Sequence, residues 1–167
     1  MAVQSTSYPE RRALRLPTWD YAETGAYFVT ATTIDRRPIF GEIVERCWHD
    51  LVAHYSNVAL DQFCVMPNHV HGVIWIRGAG RAGLILLRKD APTPDRRHGL
   101  PEIVRAFKTF SARRINEARG APGTAVWQRN YYERVIRDDR ELNAIREYIQ
   151  TNPLRWHLDK ENPYRTA

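Results

Sequence analysis

Two histidines separated by one residue are the strongest chemical signal in the chain. His69 and His71 lie in the stretch MPNHVH at 66–71, and the apolar run GVIWI follows at 72–76. Side chains of a strand alternate between its two faces, so both imidazoles would point to the same side. The pair has two interpretations, either two ligands of a metal ion or ordinary polar surface. A metal site would need further ligands from elsewhere in the chain.

A tyrosine and an asparagine four residues apart are the second signal. Tyr148 and Asn152 follow Asp138, which favours a helix start, and precede Pro153, which ends one. The four-residue spacing stacks both side chains on one flank of that helix, beside an inward stripe. The stripe consists of Leu142, Ile145 and Ile149. A phenol there is expected as an amphipathic core residue whose hydroxyl reaches water, and the asparagine is either a ligand or a helix-terminal residue.

Length and composition limit the class of protein. At 167 residues the chain is expected to form one domain, and its two cysteines, Cys47 and Cys64, are too few and too far apart for a disulfide framework. We expect both thiols to be buried and reduced. The sequence contains no apolar run long enough for a membrane span, so it predicts a soluble cytoplasmic protein without a membrane partner.

The charge of the chain is unevenly distributed. The formal net charge is +6 at pH 7. The excess of basic residues lies between Arg96 and Arg155, and the remainder of the chain is balanced. This asymmetry is compatible with nucleic-acid binding, in which case the protein would associate with the nucleoid. The alternative is a solvated helix face in an arginine-rich protein.

The pattern of apolar residues predicts seven elements in the order β-α-β-β-α-β-α. The strands are predicted at 26–34, 58–65, 69–76 and 131–137, and the helices at 42–56, 102–118 and 138–151. The order predicts an α+β, ferredoxin-like split βαβ fold, with a four-stranded antiparallel sheet and two helices on one face. In the third strand, one face should carry Val70, Gly72, Ile74 and Ile76, and the other His69, His71, Val73 and Trp75.

The chain is expected to be a single domain with a core at 25–156. Residues 1–24 are predicted to be an N-terminal extension and 78–99 a surface loop insertion, because both segments are rich in turn-forming and charged residues. In the second helix, the spacing predicts five inward side chains, namely Ile103, Val104, Phe107, Phe110 and Ile115.

The two signals together resemble a known family, the single-tyrosine HUH transposases and within it the REP-associated tyrosine transposases. MPNHVH at 66–71 resembles the family's His-hydrophobic-His strand, and REYIQTNP at 146–153 resembles its tyrosine-bearing helix. WQRNYYERVIR at 127–137 resembles the strand segment that links them. The resemblance covers roughly 25–156, which is nearly the whole predicted core.

This resemblance implies a role for each residue of the two signals. It makes His69 and His71 metal ligands, Tyr148 the nucleophile and Asn152 a third, amide-type ligand. A divalent Mg²⁺ or Mn²⁺ bound in this way would keep open positions for a phosphate oxygen. Attack by the tyrosine would form a 5′-phosphotyrosine and release a 3′-hydroxyl, which can later reverse the reaction. No nucleotide cofactor is expected, because the sequence has no glycine-rich phosphate-binding motif.

The implied substrate is single-stranded or hairpin DNA. The candidates for contacts with the DNA backbone are Arg105, Lys108, Arg113, Arg114, Arg129, Arg134 and Arg137. The candidates for stacking on bases are Trp75, Trp127, Tyr131 and Tyr132. Core packing, solvation or carboxylate pairing is the ordinary alternative for each of them. The sequence leaves open whether the protein is a monomer or a homodimer, and whether the tyrosine acts in its own subunit.

Two other functions are compatible with the same residues. The first is a non-catalytic module of ferredoxin-like fold that binds hairpin DNA or RNA, such as a domesticated descendant of a transposase. The second is a Zn²⁺ hydrolase, which is disfavoured because the sequence lacks the carboxylate and additional histidine spacing usual for such sites.

Overall fold

The computed structural model describes residues 18–77, 98–158 and 162, which form a four-stranded sheet with helices on both faces. The strands are β1 (Gly25–Thr32), β2 (Val58–Val65), β3 (His69–Ile76) and β4 (Tyr132–Ile136). The α-helices are α1 (Gly41–His49), α2 (Leu51–His54), α3 (Leu100–Ala118) and α4 (Asp139–Thr151). Short 3₁₀ helices span Ile34–Arg36 and Pro153–Leu158.

The sheet has the strand order β2-β3-β1-β4, and all neighbouring strands are antiparallel. This arrangement confirms the predicted ferredoxin-like α+β fold. Because β3 and β1 occupy the centre, the two histidines lie in the middle of the sheet. His69 pairs with Thr32 of β1, and His71 pairs with Thr30.

The two faces of β3 are occupied as the alternation predicts. Val70, Ile74 and Ile76 belong to a large core that also contains the buried side chains of α1 and α3. Val73 and Trp75 belong to a smaller core on the opposite face. That smaller core includes Leu142 and Ile149 of α4, so α4 covers the face that carries the histidines.

Gly72 allows a close contact between β3 and α1. A Cβ atom at this position would lie 2.4 Å from Cζ2 of Trp48, inside van der Waals contact. The Trp48 ring is fully buried against the strand and stacks on Phe63. Only glycine leaves room for the indole, so the glycine between the histidines and the apolar run has a packing function.

The structure corrects three local predictions. The predicted helix at 42–56 is divided at Asp50, whose carboxylate accepts a hydrogen bond from Arg114 of α3. Phe110 is 46 % exposed and stacks on His54, so its predicted inward orientation is wrong. Ser111 occupies the buried position instead, one residue further round the helix. Both cysteines are free as expected, but Cys64 is only half-buried.

The predicted extension at 1–24 and the insertion at 78–99 lie largely outside the described residues. In the part of the chain that the structure describes, no helix is both long and apolar enough to cross a membrane.

Candidate active site

The His69 and His71 side chains meet on the face of the sheet that α4 covers. Their Nε2 atoms are 3.0 Å apart, and the side chains are nearly inaccessible, with 1 % and 5 % exposure. Each Nδ1 atom has an oxygen partner at 2.8 Å, which is Oδ1 of Asn68 for His69 and Oγ1 of Thr30 for His71. Hydrogen bonds at Nδ1 therefore fix the orientation of both rings, and the Nε2 atoms of the two rings converge.

The hydrogen bonds behind the rings make the pair suitable for a metal. An amide oxygen can only accept, so His69 donates from Nδ1 to Asn68 and its neutral form presents a lone pair at Nε2. The Thr30 hydroxyl can donate or accept, so His71 can adopt the same tautomer. In that state both Nε2 lone pairs point to one position, and outer oxygen partners of this kind are typical of metal-binding histidines.

The two imidazoles alone do not complete a metal site. Among the described residues, no group of three or more His, Cys, Asp or Glu side chains is arranged to hold a metal ion. Two imidazoles fit a divalent cation that takes its further ligands from other donors, such as an amide oxygen, water or a phosphate oxygen.

Burial also keeps His71 in the neutral form. Desolvation, followed by the nearby His69, lowers the pKa of His71 from its usual value of 6.5 to about 3. A metal ligand must be unprotonated, so this pKa favours metal binding at neutral pH.

Tyr148 lies at the open side of the histidine pair. Its hydroxyl oxygen is 3.4 Å from Nε2 of His71, and the two ring centroids are 5.2 Å apart. The phenol ring also packs edge-on against Phe28 of β1. Tyr148 is 46 % exposed, so a large substrate can reach this residue while its hydroxyl lies next to His71.

The C-terminal end of α4 continues over the same pair. Asn152 is the C-cap of α4 and is buried, and its backbone N–H donates to the carbonyl of Tyr148. In the 3₁₀ helix that follows, the Trp156 ring lies 5.9 Å from the His69 ring. Asn152 thus lies in the chain between two residues that contact the histidine pair. Its role as a third ligand stays a prediction.

Sequence analysis did not identify Thr30, Phe28 or Trp156 as part of this site. Thr30 and Phe28 reach it only through the pairing of β1 with β3, for which the sequence contains no local signal. Asn68 could have been found, because it directly precedes His69 and asparagine readily bonds to neighbouring groups.

Six of the predicted DNA-contacting residues line one groove beside the active site. The groove has a volume of about 1160 Å³ and runs between α3 and residues 124–132 to Thr30, the partner of His71. The predicted residues that line it are Arg105, Lys108, Trp127, Arg129, Tyr131 and Tyr132.

Two of these six residues also have clear structural roles. The Lys108 ammonium donates to the backbone carbonyls of Gln128, Arg129 and Asn130, at 2.6, 3.1 and 3.3 Å. Burial lowers the pKa of Lys108 from 10.5 to about 8. Trp127 is buried, and its indole N–H donates to Ser111. Arg105, Arg129 and Tyr132 are the exposed members of the set.

The other predicted DNA contacts lie outside the groove lining. Arg113, Arg114 and Arg134 form ion pairs with Glu117, Asp50 and Glu141. Arg137 is exposed near the start of α4. Trp75 is buried, and its indole N–H donates to Asp61. The structure therefore separates the groove-lining candidates from a set that is engaged within the protein or located elsewhere.

The chain is similar to known proteins in sequence and in fold. No family model matches the chain. An uncharacterized protein of Haemophilus influenzae is 35 % identical over 170 residues, covering 90 % of this chain and 92 % of that protein. A second H. influenzae protein, provisionally named a REP-associated tyrosine transposase, is 26 % identical over 144 residues, covering 81 % and 74 %.

A solved structure shares the fold. It is a REP-associated tyrosine transposase bound to a REP hairpin, and it matches with a TM-score of 0.60 at 18 % identity. The match covers 93 % of this chain and 77 % of that one. The chain thus has the fold of the REP-associated tyrosine transposases, and the resemblance indicated by its motifs is confirmed. It belongs to the same family as the uncharacterized H. influenzae protein.

Proposed function

We propose that this protein is a metal-dependent DNA strand transferase that cleaves and rejoins single-stranded or hairpin DNA through Tyr148. The observation that carries the proposal is the 3.4 Å distance between the Tyr148 hydroxyl and Nε2 of His71. It brings a nucleophile together with two converging imidazoles. The structural neighbour is a transposase bound to a REP hairpin, which supports hairpin DNA as the substrate.

The active-site residues have separate tasks in this reaction. His69, His71 and Asn152 would hold Mg²⁺ or Mn²⁺, which would polarise the scissile phosphate and stabilise its charge. The Tyr148 oxygen attacks phosphorus, a Tyr–O–P bond forms and the bond to the 3′ oxygen breaks. The phenol loses its proton to solvent, and the departing 3′ oxygen gains one. The resulting 5′-phosphotyrosine is reversed when a 3′-hydroxyl attacks it.

The groove provides a path for the DNA strand. Arg105 and Arg129 would contact phosphates, and the exposed ring of Tyr132 would stack on a base. Since the groove reaches Thr30, a strand that follows it ends beside the histidine that Thr30 contacts.

Tyr148 is proposed to act in its own subunit. The hydroxyl and the imidazoles that it approaches belong to one chain, and the apolar stripe of α4 packs on the sheet of that chain. A mixture of Tyr148→Phe protein with the His69→Ala/His71→Ala double variant should therefore remain inactive. Recovery of cleavage in the mixture would show that the tyrosine and the histidines act from different subunits.

The direct test is the formation of a covalent adduct. The protein is incubated with Mn²⁺ and end-labelled hairpin DNA, denatured and separated by electrophoresis. The parent should retain label, and Tyr148→Phe should not, while both bind the uncleaved hairpin with similar affinity. An adduct with the Phe variant would contradict the assignment of the nucleophile.

The second candidate function is a non-catalytic module that binds hairpin DNA or RNA. The groove favours it, because Arg105 and Arg129 can hold a nucleic acid without any contribution from Tyr148. Hairpin binding by the parent without an adduct in Mn²⁺ or Mg²⁺ would select this function.

A further inference from the structure

A half-buried ion pair holds α4 on the side away from the histidines. Both oxygens of the Asp61 carboxylate bond to one guanidinium, at 2.9 Å to Nε of Arg146 and 2.5 Å to Nη2. The carboxylate also accepts from Nε1 of Trp75 at 3.0 Å and from the backbone N–H of Gln62 at 2.8 Å. The fork-shaped geometry fixes the direction of the arginine as well as its distance.

Asp61 lies at a bulge in β2, on the face that α4 covers. The pairing of β2 with β3 shifts between Leu60 and Phe63, where β2 has one extra residue. The extra residue changes the alternation after Asp61, so that Phe63 returns to the face of Leu60. Leu60 and Phe63 both pack on the larger core, and Asp61 between them reaches Arg146 on the opposite face.

Arg146 and Tyr148 lie on opposite flanks of α4. Two residues along an α-helix correspond to a rotation of about 200°, so the side chains diverge around the axis. The stripe that contains Leu142 and Ile149 lies between them and packs on the sheet. The ion pair and the tyrosine therefore lie on either side of the stripe, so a rotation of the helix about its axis would move both of them.

Small rotations of α4 would displace the nucleophile. An atom at the outer surface of a helix is about 5 to 6 Å from the axis, so a rotation of about 10° moves it by about 1 Å. Displacements of this size can reduce a reaction rate about 100-fold. The Tyr148 hydroxyl, 3.4 Å from His71, has this sensitivity.

A second ion pair on the same helix offers a contrast. Glu141, 17 % exposed, pairs with Arg134 of β4, whose side chain is 60 % exposed, whereas the side chains of Asp61 and Arg146 are 12 % and 29 % exposed. Exposed ion pairs are screened by water and constrain geometry little. Burial raises the pKa of Asp61, but the hydrogen bonds from Arg146, Trp75 and Gln62 outweigh it and hold that pKa below its usual value. Asp61 is thus charged at neutral pH.

We propose that Asp61, Arg146 and Trp75 form a positioning clamp that sets the rotation of α4 and thereby places the Tyr148 hydroxyl beside His71. The clamp residues touch no reacting atom, and they act through the tyrosine. This inference rests on the proposed function where it concerns the reaction rate, but the position of Tyr148 can be measured without any reaction.

The first experiment measures adduct formation at saturating hairpin DNA and Mn²⁺. Asp61→Asn and Arg146→Gln should each slow the reaction about 10- to 100-fold, with hairpin affinity within about twofold of the parent. The double variant should be no slower than the slower single variant, because each change breaks the same clamp. Glu141→Gln is the matched control, and it should react at the parent rate. Arg146→Lys keeps the positive charge but loses the fork-shaped guanidinium. It should therefore react faster than Arg146→Gln and more slowly than the parent.

The second experiment places 3-fluorotyrosine at position 148 and records its fluorine resonance without DNA. The resonance should shift or broaden in Asp61→Asn and Arg146→Gln, and it should be unchanged in Glu141→Gln. If a variant does not fold by circular dichroism, Trp75→Phe provides the test, since it keeps an aromatic ring but removes one donor to Asp61.

The two measurements distinguish failure of the clamp from failure of the proposed function. An unchanged resonance in the folded clamp variants, or parent-like adduct rates, would overturn the clamp and leave Tyr148 as the nucleophile. A shifted resonance in a protein whose parent forms no adduct would support the clamp as a device that places Tyr148 and reject the strand-transfer reaction.

Discussion

The two faces of the sheet are built from different kinds of contact. On one face, α1 and α3 bury large apolar side chains such as Trp48, Phe107 and Ile103 in an extensive core. On the other face, α4 contributes a narrow apolar stripe and forms ion pairs with both edge strands. This second face also contains the buried histidines and the half-exposed tyrosine.

The face that contributes most of the apolar burial is therefore different from the face that contains the candidate active site. Truncation of a side chain in the large core lowers the free energy of unfolding, and the candidate nucleophile is not a member of that core. The α4 face contains polar groups whose geometry is sensitive to small displacements, and it contributes less apolar burial. Substitutions on the first face should change the unfolding free energy, and substitutions on the second should change metal binding and cleavage.

Removal of the histidine pair is expected to have the largest effect on activity. His69→Ala with His71→Ala should abolish cleavage and its dependence on Mn²⁺, because both converging nitrogens are lost. Adduct formation with and without chelator measures this. His54→Ala, on the other face, is the control and should behave like the parent. Cleavage by the double variant, or cleavage by the parent in excess chelator, would contradict the proposed metal site.

Truncation in the large core is expected to change stability and to leave cleavage unchanged. Phe107→Ala should lower the free energy of unfolding by about 3 to 5 kcal/mol, because it leaves a cavity between α3 and Trp48. Urea unfolding measures the change, and Phe110→Ala on the same helix is a control with less than about 1 kcal/mol expected. Adduct formation per folded molecule should be unchanged. A selective loss of cleavage would show that the two faces are not independent.

Removal of the outer partner of His71 should have an intermediate effect. Thr30→Val keeps the shape but removes the hydroxyl 2.8 Å from Nδ1, so Mn²⁺ affinity should fall about 10- to 100-fold. Thr30→Ser retains the hydroxyl and should restore most of the affinity. Calorimetric titration with Mn²⁺ provides the measurement, and equal affinities for the Val and Ser variants would show that the hydroxyl does not orient the ring.

A pH dependence of stability is expected at Lys108, on the large-core side. Burial lowers the folded-state pKa to about 8, whereas the unfolded value is near 10.5. Between these values the unfolded chain binds a proton that the folded chain has released. The contribution of Lys108 to stability should therefore rise from pH 8 to 10.5. Urea unfolding of the parent and of Lys108→Met measures this over the same pH range. The free energy of unfolding of the parent should rise with pH relative to that of the variant, and an equal pH dependence of the two proteins would contradict the shift.

Several parts of the fold and site were predictable from short stretches of sequence. The alternation around His69 placed both imidazoles on the face opposite Ile74, and the four-residue spacing placed Tyr148 and Asn152 on one helix. These properties follow from backbone geometry, which neighbouring residues determine. The break at Asp50 and the exposure of Phe110 were missed because they depend on how α3 meets α1 and α2.

The sequence by itself determined the elements, the strand faces and the motifs that indicate a histidine pair and a tyrosine helix. Only the tertiary structure decided that Tyr148 reaches His71, 77 residues away in the chain, and that Arg146 reaches Asp61, 85 residues away. The physical reason is that local periodicity specifies the direction of a side chain relative to its own element. The distance between two elements depends on sheet order, on the bulge in β2 and on the packing of α4.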